Sequence, residues 1–458
     1  MSNLLKNFKL SFFSQAIAIL IGVMRATIIP LYLGLADFGY WQVYVLYLGL
    51  IGILSLGYLD GIYLNCGGLS ESDINFNEFR SAGVIYLFVS VFFILLLYLI
   101  IDHTVLDESK RITLLYLLPN VILVGLTSYY LIVFQITNQI YKYSRYLIID
   151  KILFILSLPL LIVTEQLSFQ SLIILDIISR CVLLLLLVLK YNYYIFGNID
   201  DLKIGLIFFV KNIGDGSKLL LANMAGMILL VLGRLYVENN FSIAEFSVYA
   251  FGISVTNILL MAVGSVSVVL YPVLKNMSHS ECLRFFSKSN NLINAFFVLA
   301  LLLYFPACFI VANYMLEYVG VLPYLSLLFV ICLLQCKMQV LLNTYYKVLR
   351  KERRMLIDNI STIIIACMLL YFVDIYYNTI YAVVFSLTIA MLGRTVFSEI
   401  HLRKCLKLNL RPVIFNVLLA VAFIVITGFC GEAVSFGLYV TFSLIFIFMN
   451  YKSILRKA

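Results

Sequence analysis

The stretch ITLLYLLPNVILVGLTSYYLIVFQITNQIYKYSRYLIIDKILFILSLPLLIV, residues 112–163, decides the fold. Residues 112–137 and 146–163 form two apolar runs, each near the roughly 20 residues a helix needs to cross a bilayer. Between them lie Lys142 and Arg145, with Lys151 just inside the second run. Acidic residues stand at the far ends, Asp107 and Glu108 before the pair and Glu165 after it. Lys and Arg collect in cytoplasmic loops, so the stretch reads as two spans joined by an internal loop.

Outward from this pair the pattern repeats along the chain. Fourteen apolar stretches are expected as helices, at 9–30, 40–62, 81–101, 112–137, 146–163, 168–189, 207–236, 246–273, 290–312, 321–344, 356–373, 378–397, 412–429 and 433–450. Of 32 Lys and Arg residues, 25 fall at one set of helix ends, and only Lys110 and Arg111 in the opposite loops. Both termini are therefore expected in the cytoplasm. The loop Glu71–Arg80 stands against the trend, because it is acidic although the count places it inside. Hydrophobic residues make up 63% of the 458 and charged residues 12%. A soluble domain carries about twice that charge, so the solvent is lipid. The net charge of +9 is spread over loop ends, where it faces anionic headgroups. It is not a nucleic-acid signature. The first run continues through Arg25 to Pro30 without a small-residue cleavage site and reads as a retained helix.

The chain also repeats itself at an offset of 208 residues. Gln15 matches Asn223, Ala36-Asp37-Phe38 matches Ala244-Glu245-Phe246, Lys142 matches Arg350, and Asp150 matches Asp358. Six spans per copy is an even number, so both copies enter from the same side. The expected architecture is all-α, with two parallel six-helix repeats and two C-terminal helices. The expected domains are 1–190, 206–400 and 411–458. Transporters built this way place their substrate site between the halves, near the midplane.

Five cations remain inside the apolar stretches: Arg25, Arg180, Arg234, Lys337 and Arg394. A central charge costs about 2.5–3.5 kcal/mol, so five unpaired ones would cost about 12–18 kcal/mol. Such groups are usually functional or paired. Gln15, Ala18, Gly22 and Arg25 fall within an arc of about 80° on one helix. Asn223, Gly226 and Arg234 repeat the pattern. The small residues suit close helix packing, and the terminal arginines suit a watery cavity. Arg180 has Asp176 one turn before it, so a structural ion pair and a substrate contact are both open. Lys337 and Arg394 sit nearer cytoplasmic ends, where snorkelling is the expectation. Asp176 and Asp60 are the acids expected in the membrane, and the candidates for pairing or for proton or sodium coupling. Cations in excess of anions favour an anionic cargo, and the planar fork of Arg suits phosphate.

No P-loop occurs, so no ATP hydrolysis and no cofactor is expected. His103, His279 and His401 lie in loops or near helix ends, and no metal-ligand spacing stands out. Cys332 and Cys336, one turn apart, read as buried thiols.

The run Arg25-Ala-Thr-Ile-Ile-Pro30-Leu-Tyr-Leu-Gly34-Leu-Ala-Asp-Phe-Gly39-Tyr-Trp resembles the first helix and turn of bacterial polysaccharide exporters. These are the Wzx-type O-antigen flippases of the multidrug/oligosaccharidyl-lipid/polysaccharide (MOP) superfamily. Leu56-Gly57-Tyr-Leu-Asp60-Gly61 resembles the family's next segment, and Phe134-Gln-Ile-Thr-Asn-Gln-Ile-Tyr-Lys142-Tyr-Ser-Arg145 its basic fourth junction. The resemblance covers essentially the whole chain. It implies a flippase, not an enzyme, moving an undecaprenyl-diphosphate-linked oligosaccharide across the bacterial inner membrane by alternating access. The lipid-linked oligosaccharide, membrane lipids and other polysaccharide-assembly proteins are the implied partners. Arg25 and Arg234 match the family's cavity arginines. Where related sequences carry Asp before the second arginine, this chain has Gly233.

Two other classes are open. A multidrug-type cation antiporter would share the fold but line its interior with acids. A membrane glycan polymerase would carry a sizeable outer loop, whereas the longest here spans about residues 102–111.

Overall fold

The structure, a computed structural model, describes residues 17, 19–275, 279–429 and 431–455. Its regular elements are helices throughout. They are α1 (Ile19–Tyr32), α2 (Leu35–Leu48), α3 (Tyr58–Cys66), α4 (Phe76–Thr104), α5 (Glu108–Leu117), α6 (Pro119–Ile136), α7 (Ile140–Val163) and α8 (Phe169–Lys190), then α9 (Leu202–Asn240). There follow α10 (Ile243–Lys275), α11 (His279–Leu301), α12 (Tyr304–Tyr314), α13 (Leu322–Lys337), α14 (Asn343–Val348), α15 (Glu352–Tyr376), α16 (Ile380–Cys405), α17 (Arg411–Phe429) and α18 (Glu432–Leu455). Among the described residues, 11 helical segments are long and apolar enough to span a bilayer, and up to 12 if the bent α9 is one span. Ile19–Tyr32 and Ala433–Phe446 are shorter apolar helices. The chain is a multi-span membrane protein, and fourteen spans stays an expectation.

The chain divides into two compact units, Met1–Met224 and Ala225–Ala458. The boundary falls inside α9, and the second unit includes α17 and α18.

In the first unit the expected helix 40–62 is broken. α2 gives way to a 3-10 turn at Ile51–Ser55, and Leu56 (φ 53°) and Gly57 (φ 86°) are left-handed before α3. The break lets α3 cross α9 at backbone contact. A Cβ on Gly61 would stand 2.0 Å from the Asn212 carbonyl oxygen, and one on Gly216 would stand 2.0 Å from that of Gly57. Glycines four apart allow this approach. One turn on, the Asn65 amide donates to Asn212 Oδ1 at 3.0 Å and to Asp215 at 3.1 Å. The core beside this crossing is aromatic, with Tyr58, Tyr86, Tyr129, Tyr130, Phe134 and Tyr194 all buried.

The acidic loop at Glu71 joins the basic loops at the same end of this unit. Glu71 accepts hydrogen bonds from Gln139 at 2.8 Å, from Tyr194 at 2.9 Å and from Tyr193. Gln139 belongs to the Lys142 junction and the two tyrosines to the turn after α8. Arg80 donates to the Asn198 carbonyl at 3.0 Å and to that of Tyr193. At the other end, Tyr40 donates to Asp107 at 2.9 Å and the Phe169 amide to Asp37 at 3.3 Å. Arg111 pairs with Asp102. Alternate loops therefore gather at opposite ends, as the charge count requires.

The second unit is built around α10, α13 and α16. α13 runs into a π-helical turn, Met338–Leu342, before α14. The Tyr345 hydroxyl donates to the Cys282 carbonyl at 3.1 Å, and that of Tyr439 to the Val298 carbonyl at 3.1 Å. The second bond ties α18 to α11.

Landmarks recur between the units, and they correct the register. Gly34 precedes α2 and Ser242 precedes α10, the expected 208 apart. Later landmarks are 212 apart. Asn138 (φ 57°) and Arg350 (φ 55°) end equivalent helices, followed by amide bonds from Gln139 to Phe134 at 2.7 Å and from Lys351 to Tyr346 at 2.8 Å. The amide bonds Gln166 to Leu161 and Asn378 to Val373 keep that spacing. The second copy gains four residues between these landmarks, so Asp358 aligns with Tyr146 and not with Asp150.

Two outcomes follow. Gly61→Val should abolish the α3–α9 crossing and remove monodisperse protein from detergent extracts, whereas Gly83→Val, at a site with open space around its Cβ, should be extracted normally. Size-exclusion profiles check this. Burial raises the Glu71 carboxyl, but bonds from Tyr193, Tyr194 and Gln139 and the charge of Lys142 outweigh it, and the group titrates below the ordinary glutamate range. Its stabilisation is full above that range and is lost as pH falls through the lowered value. Melting temperatures of wild type and Glu71→Gln should differ by about 1–2 °C at pH 7, given the exposure of the site, and the difference should shrink as pH falls below the ordinary glutamate range.

Candidate functional site: buried cations in each unit

In the first unit, α1, α2, α6, α7 and α8 bring their polar residues to one place. Asp176 on α8 is 3% exposed. It accepts from Arg180 Nε at 2.8 Å, lies 3.5 Å from Arg25 and accepts from the Tyr44 hydroxyl at 2.8 Å. Asn120 donates to that hydroxyl at 3.1 Å. The Arg25 guanidinium lies 3.9 Å from the centre of the Phe154 ring, and Trp41 stacks on both Phe154 and Tyr44. A cation over a desolvated ring gains roughly 2 kcal/mol. On α7, Lys151 lies 3.4 Å from Asp150 and donates to the Leu147 carbonyl at 2.7 Å. A cavity of about 120 Å³ is lined by Asp150, Lys151, Arg180, Thr127 and Ser128. Arg25, Arg180 and Lys151 thus face Asp150 and Asp176, with one positive charge in excess.

In the second unit a larger cavity, about 250 Å³, opens between α9, α10, α13 and α16. Arg234, Tyr249, Asn257, Gln335 and Gln339 line it with Leu, Ile and Met side chains, and no carboxylate lines it among the described residues. Arg394 on α16 is 2% exposed and donates from Nη1 to Gln335 Oε1 at 3.2 Å. Its Nε and Nη2 have no hydrogen-bond partner among the described residues.

Lys337 is placed differently. It and Glu399 are each 1% exposed and 2.7 Å apart. Glu399 also accepts from Arg403 at 2.7 Å and Asn416 at 2.9 Å, so the cluster joins α13, α16 and α17. The snorkelling expected for Lys337 and Arg394 is not observed, because a carboxylate holds one and an amide the other inside the bundle. Asp60 lies half-buried in the first turn of α3, apart from these clusters. Asn223 is exposed on α9. Gln15 and Ala18 lie outside the described residues.

Sequence reasoning missed Glu399 because it ended that helix at residue 397, and it counted Lys151 with the basic loop although the run 146–163 contains both Lys151 and Asp150. It also passed over Asn257, Gln335 and Gln339, single amides in apolar runs. An amide in a span is itself costly unless partnered, and that was the available signal.

All-helical units with this many apolar spans and buried cations define a polytopic membrane protein. No protein-family model and no curated protein matches the sequence. Among solved structures, the lipid II flippase MurJ in its inward closed conformation superposes with a TM-score of 0.70 at 13% identity, covering 98% of this chain and 99% of that one. An outward-facing multidrug resistance MATE family transporter of the MOP superfamily gives 0.56 at 15%, covering 87% and 95%. An inward-facing MATE structure gives 0.53 at 12%, covering 85% and 99%. The chain has the fold of MOP-superfamily transporters.

The Lys337 cluster sets an order of stabilities. Glu399→Gln leaves two buried cations without their carboxylate and should cost about 3–5 kcal/mol. Lys337→Met leaves the Arg403–Glu399 pair intact and should cost clearly less. Thermal melts in detergent check the order, and the reverse order would contradict the geometry.

Proposed function

We propose that this protein is a Wzx-type flippase that moves an undecaprenyl-diphosphate-linked oligosaccharide from the cytoplasmic to the periplasmic leaflet of the inner membrane. The reading keeps both termini in the cytoplasm. One observation carries it, the second-unit cavity with Arg234 on its wall and no carboxylate in its lining. A cation antiporter would place an acid there to pair with its cargo. The residual positive charge around Arg25, Arg180 and Lys151 supports the same preference for anions. Diphosphate oxygens take the parallel donors of a guanidinium. The sugars occupy polar space, and the lipid tail stays in the bilayer. Alternating access exposes the site to one leaflet at a time. Asp60 and Asp176 stay the acids to test for ion coupling, although Asp176 is already shared by two arginines.

Complementation of a strain lacking this gene tests the proposal. Arg25→Ala, Arg180→Ala and Arg234→Ala should each remove most surface polysaccharide at normal protein level, with lipid-linked precursor accumulating on the cytoplasmic face. Lys at the same positions should restore it only partly, because the two-pronged contact is lost. Full polysaccharide from all three Ala variants would end the proposal.

A further inference from the structure

We propose that the cavity of the second unit is a saccharide subsite, reading the sugar next to the diphosphate through Asn257, Gln335 and Gln339, with Arg394 as a positioning residue. This rests on the flippase reading and names which part of that cargo the cavity takes.

Three features carry it. The first is the polar lining. Phosphate oxygens accept hydrogen bonds and donate none, so a phosphate site is built from donors alone. Asn and Gln amides offer both a donor and an acceptor, which matches a hydroxyl, itself both. Asn257 and Gln339 are partly buried on this wall, and their carbonyl oxygens would face an anion unfavourably.

The second is the state of Gln335. A guanidinium has donors only, so the oxygen of Gln335 must face Arg394, and it does at 3.2 Å. The Gln335 amine is therefore turned away from Arg394, as a fixed donor. Gln335 is 2% exposed, so packing and the arginine together hold the amide in one orientation. Arg394 thus contributes by orienting a ligand contact, while Arg234 on the same wall supplies the charge nearest the phosphates.

The third is size and wall. About 250 Å³ falls just below the roughly 300–1,000 Å³ of pockets for drug-sized ligands, which suits one sugar ring rather than a chain. Tyr249 and the aliphatic side chains offer faces for ring C–H groups. Gln335 and Gln339 lie four residues apart where α13 enters its π-helical turn, and such turns are frequent at functional sites.

The test uses the full chain in lipid nanodiscs and two soluble probes, geranyl diphosphate and geranyl diphosphate carrying one hexose. Wild type should bind the hexose-bearing probe about tenfold more tightly, the worth of one or two hydroxyl–amide bonds. Gln335→Leu and Gln339→Met should bring that probe down to the affinity of the bare diphosphate, which itself should not change. Gln339 is only partly buried, so its Met variant keeps the test available if Gln335→Leu does not fold. Arg394→Gln should lower the hexose increment but not the bare diphosphate affinity, with partial rescue by Arg394→Lys. Arg234→Ala should weaken both probes. Equal binding of both probes by wild type, or amide variants that weaken both alike, would overturn the subsite and leave the flippase reading standing. Failure of either probe to bind wild type would overturn both.

Discussion

The cost of an unpaired charge in an apolar interior constrains everything else here. Breaking a buried ion pair costs about 3–5 kcal/mol, because the remaining charge is stranded. The chain meets this cost by sharing. Asp176 receives Arg25 and Arg180, and Glu399 receives Lys337 and Arg403. Each carboxylate serves two cations and accepts a further neutral donor, Tyr44 in one case and Asn416 in the other. The first cluster cross-ties α1, α2, α6 and α8 and the second α13, α16 and α17, so the charges fix helix register as well as lowering insertion cost. A bundle of apolar helices in lipid has little other means of specifying register, since lipid tails and Leu side chains are equally apolar.

The second constraint is backbone contact. α3 approaches α9 closely enough that only glycine fits at Gly57, Gly61 and Gly216. That approach needs the break at Ile51–Gly57, which turns the chain before α3 begins. Beside it, Glu71 ties three loops together through two tyrosines and an amide. The loops at this end of the first unit are thus held by hydrogen bonds between side chains distant in sequence.

Much of this was legible in the chain. The all-α, multi-span class follows from composition, and the alternate loops meet as the Lys and Arg count demands. The pairing of Arg180 with Asp176 was readable from their spacing on one helix. The loop at Glu71 stood against the trend because a carboxylate looks external until its partners, distant in sequence, are seen, and the structure groups it with the basic loops where the count placed it. The break in α3's span was hidden in glycines that also suit packing. The offset of 208 held for the first landmark and slipped by one helical turn later, because apolar sequence offers matches at many offsets. Glu399 and Arg403 were unreadable as interior residues, since helix ends cannot be located to a turn from hydropathy. In the candidate site, the arginines were legible by their cost, but the amides that hold or accompany them were not.

Beyond the shared carboxylate that each unit has, the cations beside the two cavities are held differently. In the first, carboxylates already occupy Arg25, Arg180 and Lys151, so an arriving anion must compete with Asp176 or settle for the one charge in excess. In the second, an amide and not an acid holds Arg394, and no acid is among the described residues of the cavity wall with Arg234. An anion there would meet no carboxylate among the described residues of that wall. The difference in free energy between these situations is the difference between exchanging one ion pair for another and forming a new one in a low dielectric, where each charge interaction is several-fold stronger than in water. On the flippase reading proposed above, the second unit would provide the standing affinity for an anionic head. On the same reading the first would supply a contact made and broken as its ion pairs rearrange, which is what a carrier that must release its cargo requires.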